Sequence, residues 1–132
     1  MAIRLLIVDD SKLARATLAR AVRALQPTWT LLEATNAEDA MALLARSGAD
    51  IVLLDYALPG HDGLTLASDL RKIHPDVPLA LISATTQDRF IAGARAIGVP
   101  LLPKPCSERL LAEFLLPARE RLESKARDRQ PG

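Results

Sequence analysis

The chain has 132 residues, 49% of them apolar and only 3% aromatic, which is enough to bury a core without a disulfide or metal staple and too apolar for disorder. Its 17 basic and 16 acidic residues nearly cancel, so there is no basic stripe of the kind that neutralises nucleic-acid phosphates, and direct nucleic-acid binding is not expected. A single cysteine, Cys106, precludes an internal disulfide, and no apolar run has the length of a membrane span or a signal-peptide core, so the expectation is a cytoplasmic protein with no membrane partner.

Five short apolar runs recur, at residues 3–8, 30–32, 51–54, 79–82 and 99–102. Most are continuous rather than alternating, as in strands covered on both faces. The second is the weakest and suits an edge. Helical spacing fills the gaps. Ser11 can cap a helix carrying Leu13, Ala14, Leu18, Val22 and Leu25, closed by Pro27. Asn36 can cap a second, from Ala37 to about Arg46, with Gly48 as its stop. Leu64, Leu66, Leu70 and Ile73 mark a third that ends before Pro75, and residues 88–97 a fourth before Gly98. Ser107 can cap a fifth carrying Leu110, Leu111, Phe114 and Leu115, with Pro117 expected to interrupt or kink it. Residues 1–116 then form one domain, and residues 117–132 a charged helical extension or a disordered tail.

Strand and helix alternate five times, which calls for a parallel α/β sheet with helices on both faces and ligands beyond the carboxyl ends of the strands. At those ends stand Asp9 and Asp10, Asp55, Ser83, and Lys104-Pro105. Three converging carboxylates need a compensating cation, and a hard divalent ion such as Mg²⁺ suits all-oxygen ligands. A carboxylate can also act as a nucleophile towards phosphorus. Asp55, alone on the central strand, is the candidate nucleophile, and the Asp9–Asp10 pair the candidate metal ligands. Lys104 would add positive charge, with the Ser83 hydroxyl and the Ala84 amide as donors to phosphoryl oxygens.

The segments LLIVDDS (5–11), LLDYALPGHDG (53–63), ISA (82–84) and PKP (103–105) together resemble the bacterial two-component response-regulator receiver domain, of the single-domain chemotaxis-regulator kind, over roughly residues 3–116. The resemblance implies a doubly wound (βα)5, flavodoxin-like fold with strand order 2-1-3-4-5. It implies that Asp55 is the phosphoacceptor, with Lys104 and Ser83 acting on the phosphoryl group and the Ala84 and Tyr56 amides binding it. Mg²⁺ (or Mn²⁺) would be held by Asp10 and Asp55, by Asp9 largely through water, and by the main-chain carbonyl of Ala57. It also implies a cis Lys104-Pro105 bond and a phosphodonor that is a histidine kinase or histidine phosphotransfer protein. The signal would pass to an unidentified downstream protein, from a monomer or weak dimer.

Two positions depart from the family pattern. Leu101 stands where many receivers carry an aromatic switch, so a tyrosine-type rotamer readout is not available. Ala57, two residues after the phosphoacceptor, replaces a commonly polar residue, and with Thr85 it flanks the path of an attacking water. His61 and His74 lack partners at metal-ligand spacing and read as loop residues. Pro59 and Gly63 read as a turn and a close backbone approach.

Three other readings compete. The chain can be the receiver part of a larger regulator, or a receiver-like scaffold that is never phosphorylated. It can also be an aspartyl-nucleophile phosphatase of the haloacid-dehalogenase type. That last family needs an Asp-x-Asp pattern after its first strand and a cap insertion. Adjacent aspartates at Asp9–Asp10 and the short connections speak against it, and a switch rather than a turnover enzyme is expected.

Overall fold

The computed structural model describes residues 2–58, 61–84 and 87–129, with His61 and Arg129 described by their backbone alone. Five strands, β1 (Arg4–Val8), β2 (Thr30–Ala34), β3 (Ile51–Asp55), β6 (Leu79–Ser83) and β7 (Leu101–Pro103), form one parallel sheet in the order β2-β1-β3-β6-β7. Counting sheet strands alone, this is the flavodoxin-like order 2-1-3-4-5, as expected. Between β3 and the third helix lies a feature that sequence patterning did not anticipate, an antiparallel ladder of β4 (Ala57–Leu58) and β5 (His61–Asp62). Pro59, expected at this turn, lies outside the described residues.

The helices are α1 (Lys12–Leu25), α2 (Ala37–Ser47), α3 (Gly63–Ile73), α4 (Asp88–Ala96) and α5 (Glu108–Arg129). Ser11 and Asn36 cap as expected, accepting from the amides of Ala14 and Asp39. Gly48 closes α2 at φ 73°, a conformation costly for other residues. Asp62 caps α3 by accepting from Thr65 N at 2.9 Å, a cap readable from Asp-Gly before the helical run but not foreseen. β7 starts two residues later than the apolar run suggests. Gly98 (φ 68°) turns the chain there, and the Val99 amide is spent on the Ala94 carbonyl.

The expected break at Pro117 does not occur, and α5 runs through it to Arg129. Proline costs the helix one hydrogen bond. Packing offsets that loss: Leu111, Leu115 and Ala118 are buried in one apolar line, and Leu122 packs against the same cluster. A 3.6 Å ion pair between Lys125 and Asp76 ties the extension to the body.

Strand alternation sorts the core into two layers. Leu5, Ile7, Ile51, Leu53, Ala80 and Ile82 face α1 and α5, where they meet Ala19, Val22, Leu111 and Leu115. Leu6, Val8, Val52, Leu54 and Leu81 face α2, α3 and α4, where they meet Ala40, Leu44, Leu66, Leu70 and Ala94. Full burial of each such aliphatic side chain stabilises the fold by roughly 1.5–3 kcal/mol. Among the described residues no helix is long and apolar enough to cross a membrane.

Candidate functional site: an acidic pocket at the strand ends

Sheet register brings the site together. Val8 pairs with Leu54, so the residues that follow, Asp9 and Asp55, lie side by side. Asp55 pairs with Ile82 and Ser83 with Pro103, which sets Ser83 and Lys104 next along the same rim. The alternation that turns Ile7, Leu53 and Leu102 towards α1 and α5 continues to Asp9, Asp55 and Lys104.

One carboxylate oxygen from each of Asp9, Asp10 and Asp55 lies within 4.8 Å of the others, the only such grouping of potential metal ligands among the described residues. Asp9 and Asp55 are each 6% exposed, whereas Asp10 faces solvent. Lys104 Nζ lies between the two buried carboxylates, 2.8 Å from Asp9 Oδ2 and 3.4 Å from Asp55 Oδ2. Asp9 Oδ1 accepts from Ser11 N at 2.9 Å, and Asp55 Oδ1 from Ala57 N at 3.3 Å. Burial, and then the adjacent charge of Asp9, push the Asp55 carboxyl above its ordinary pKa, against the pull of Lys104. For Lys104 burial pulls the other way, but its hydrogen bond to Asp9 and the charge of Asp55 outweigh it and hold the ammonium above its ordinary value. Lys104 therefore stays charged, and the buried carboxylates still lack positive charge. That deficit, with three convergent carboxylates, fits a hard divalent cation.

The other expected residues divide. Ser83 is buried at 3% exposure on the rim, its carbonyl accepting from the Lys104 amide at 2.9 Å, and Ala84 follows it exposed. The Lys104-Pro105 bond is cis. The Tyr56 amide is committed to the Ile82 carbonyl at 2.9 Å, so the neighbouring amide that reaches the Asp55 carboxylate is that of Ala57. Leu101 is half-buried and packs into the layer of α2, α3 and α4. Thr85 lies outside the described residues, as does the His61 side chain, and His74 sits at the C-cap of α3.

Gly63 explains the tight entry to α3. A Cβ there would lie 2.7 Å from the Tyr56 carbonyl oxygen, which already accepts from the Gly63 amide. A cavity of about 270 Å³ opens beside the carboxylates, lined by Ser11, Leu13, Ala14, Thr17, Pro105 and Cys106 among others. Burial raises the Cys106 pKa, which favours the protonated thiol.

The chain is thus an open, doubly wound α/β domain with three carboxylates, a buried hydroxyl and a lysine gathered at the carboxyl rim of its parallel sheet. The family model described as "Response regulator receiver domain" matches residues 5–115, and the chain belongs to that family of two-component systems. The Positive alginate biosynthesis regulatory protein of Pseudomonas aeruginosa is 41% identical over 117 residues, covering 83% of this chain and 44% of that protein. The cyclic di-GMP phosphodiesterase response regulator RpfG of Xanthomonas campestris pv. campestris is 32% identical over 130 residues, covering 94% of this chain and 34% of that protein. The chain thus spans less than half the length of these two relatives. Among solved structures, the signal receiver domain of an HD domain-containing protein from Pseudomonas fluorescens is similar at TM-score 0.85 and 28% identity, covering 94% of this chain and 99% of that one.

Proposed function

We propose that this chain is a phosphorylation switch in which Asp55 takes a phosphoryl group from a phosphohistidine of a kinase or phosphotransfer protein. The observation that carries this reading is Lys104, held by both Asp9 and Asp55 at the rim where three carboxylates meet. An Asp55 oxygen forms the new bond to phosphorus as the phosphorus–nitrogen bond breaks, and the departing imidazole takes a proton from solvent. Mg²⁺ (or Mn²⁺) held by Asp10, Asp55, the Ala57 carbonyl and, through water, Asp9 would neutralise charge on the phosphoryl oxygens. Lys104 exchanges part of its contact with Asp9 and Asp55 for a phosphoryl oxygen. The Ser83 hydroxyl and the amides of Ala84 and Ala57 offer hydrogen bonds to the remaining oxygens, the role first expected of Tyr56 passing to its neighbour.

Phosphorylation then biases a pre-existing two-state equilibrium and alters partner binding, with no turnover of substrate. Residues 1–116 form the receiver in this reading, and residues 117–132 extend it. The lengths of the relatives favour a larger regulator as readily as a free-standing receiver, and the downstream partner then follows from the attached domain.

The test is incubation with a small phosphodonor and Mg²⁺, followed by intact mass. The wild type gains one phosphoryl group and Asp55→Asn gains none; a gain that persists in Asp55→Asn sinks the assignment. Lys104→Ala is expected to keep phosphorylation and lose most of the conformational response. Normal partner binding by phosphorylated Lys104→Ala refutes that role.

A further inference from the structure

Arg15 takes no part in the chemistry above, yet it reaches into the site's backbone. Its Nη1 donates to the main-chain carbonyl of Asp9 at 2.8 Å, and its Nε donates to Glu33 Oε1 at 2.9 Å. The arginine side chain is 13% exposed and that of Glu33 51%. Glu33 lies on β2 in register with Ile7, so the edge strand holds the guanidinium against the end of β1.

Of the three carboxylates, Asp10 is the one that packing does not hold. Asp9 and Asp55 are buried and Asp10 is exposed. The direction of Asp10 is set by the peptide that joins it to Asp9. The Asp9 amide donates to the Ala34 carbonyl at 3.1 Å, and its carboxylate accepts from Ser11. The Asp9 carbonyl, one end of the Asp9–Asp10 peptide, is held by Arg15. Among the hydrogen bonds described, this is the one made to the Asp9–Asp10 peptide itself.

We infer that Arg15, braced by Glu33, is the positioning residue of the divalent-cation site, acting through the Asp9–Asp10 peptide. This rests on the metal reading of Asp9, Asp10 and Asp55. An arginine near a cation site also acts through its charge, and the two effects have opposite signs. Charge alone repels a cation, so removing it tightens binding. Loss of positioning weakens binding. Glu33 neutralises the guanidinium, which leaves the hydrogen bond as the larger effect, and partners of this kind are typically worth 10–100-fold in metal affinity.

Mn²⁺ titration of the full chain, followed by the electron paramagnetic resonance of free Mn²⁺, separates these effects without any phosphodonor. Wild type is expected to bind one Mn²⁺ and Asp10→Asn to lose it. Arg15→Ala is expected to raise the dissociation constant about 10-fold, with the far-ultraviolet circular dichroism of the metal-free protein unchanged. Arg15→Lys, with one donor centre for two acceptors, recovers part of that loss. Glu33→Gln keeps an acceptor but unmasks the guanidinium charge, so it weakens binding by about 2-fold at low salt and not at all at high salt. If Arg15→Ala fails to fold, the lysine and glutamine variants carry the test. Wild-type or tighter affinity in Arg15→Ala, or in Arg15→Lys should the alanine variant not fold, overturns the positioning role. Absence of Mn²⁺ binding by the wild type brings down the metal reading itself, a distinguishable result.

Discussion

At the scale of single residues, the site is built to be uncomfortable without a cation. Asp55 is destabilised by burial first and by Asp9 second, and Lys104 compensates only part of that. Its folded pKa therefore lies above the unfolded value, and the folded state binds more protons in the window between them. Stability falls as pH rises through that window, and the penalty is complete above the raised pKa. Asp55→Asn removes the penalty. The metal-free variant is expected to melt above wild type at pH 7, and the difference should vanish below both pKa values. Saturating Mg²⁺ should reduce or reverse the pH 7 difference. Calorimetric melting at two pH values, with and without Mg²⁺, checks this. A metal-free Asp55→Asn that melts below wild type at pH 7 would mean that Lys104 overcompensates the pair.

At the scale of elements, α5 carries an internal conflict. Pro117 is exposed on a helix whose neighbours Leu115 and Ala118 are buried. Its ring fills no core position, and its missing amide leaves a carbonyl of the preceding turn without its helical partner. Pro117→Ala restores that bond and a good helix former, at the expense of a more flexible unfolded chain. It is expected to stabilise the protein by about 1–3 kcal/mol in urea unfolding. A loss of stability would mean that the proline shapes the path of the helix across α1. Proline rules read locally predict a break, and only the burial of Leu111, Leu115, Ala118 and Leu122 along one line explains why the helix continues. That line is visible in the sequence, but its weight against a lost hydrogen bond depends on what it packs against.

At the scale of the whole molecule, the five short apolar runs, most of them continuous, and the capping residues Ser11 and Asn36 made the doubly wound sheet legible. The rim aspartates, Ser83 and Lys104 were legible because parallel register puts the strand ends side by side. What escaped was what depends on backbone partners in three dimensions. The Tyr56 amide goes to Ile82, and Arg15 binds a carbonyl that no side-chain pattern marks. The division of the core also has a consequence for the switch. By alternation Asp55 and Lys104 belong to the layer of α1 and α5, whereas Ser83 follows Leu81 towards α3 and α4. A group bound between Lys104 and Ser83 therefore bridges the two layers across the carboxyl rim of the sheet. With the phosphoryl mimic beryllofluoride and Mg²⁺, amide exchange is expected to slow at the carboxyl rim of both layers. Protection confined to one layer would contradict this. In the proposed switch, a single chemical event at the rim thus acts on both helical layers at once.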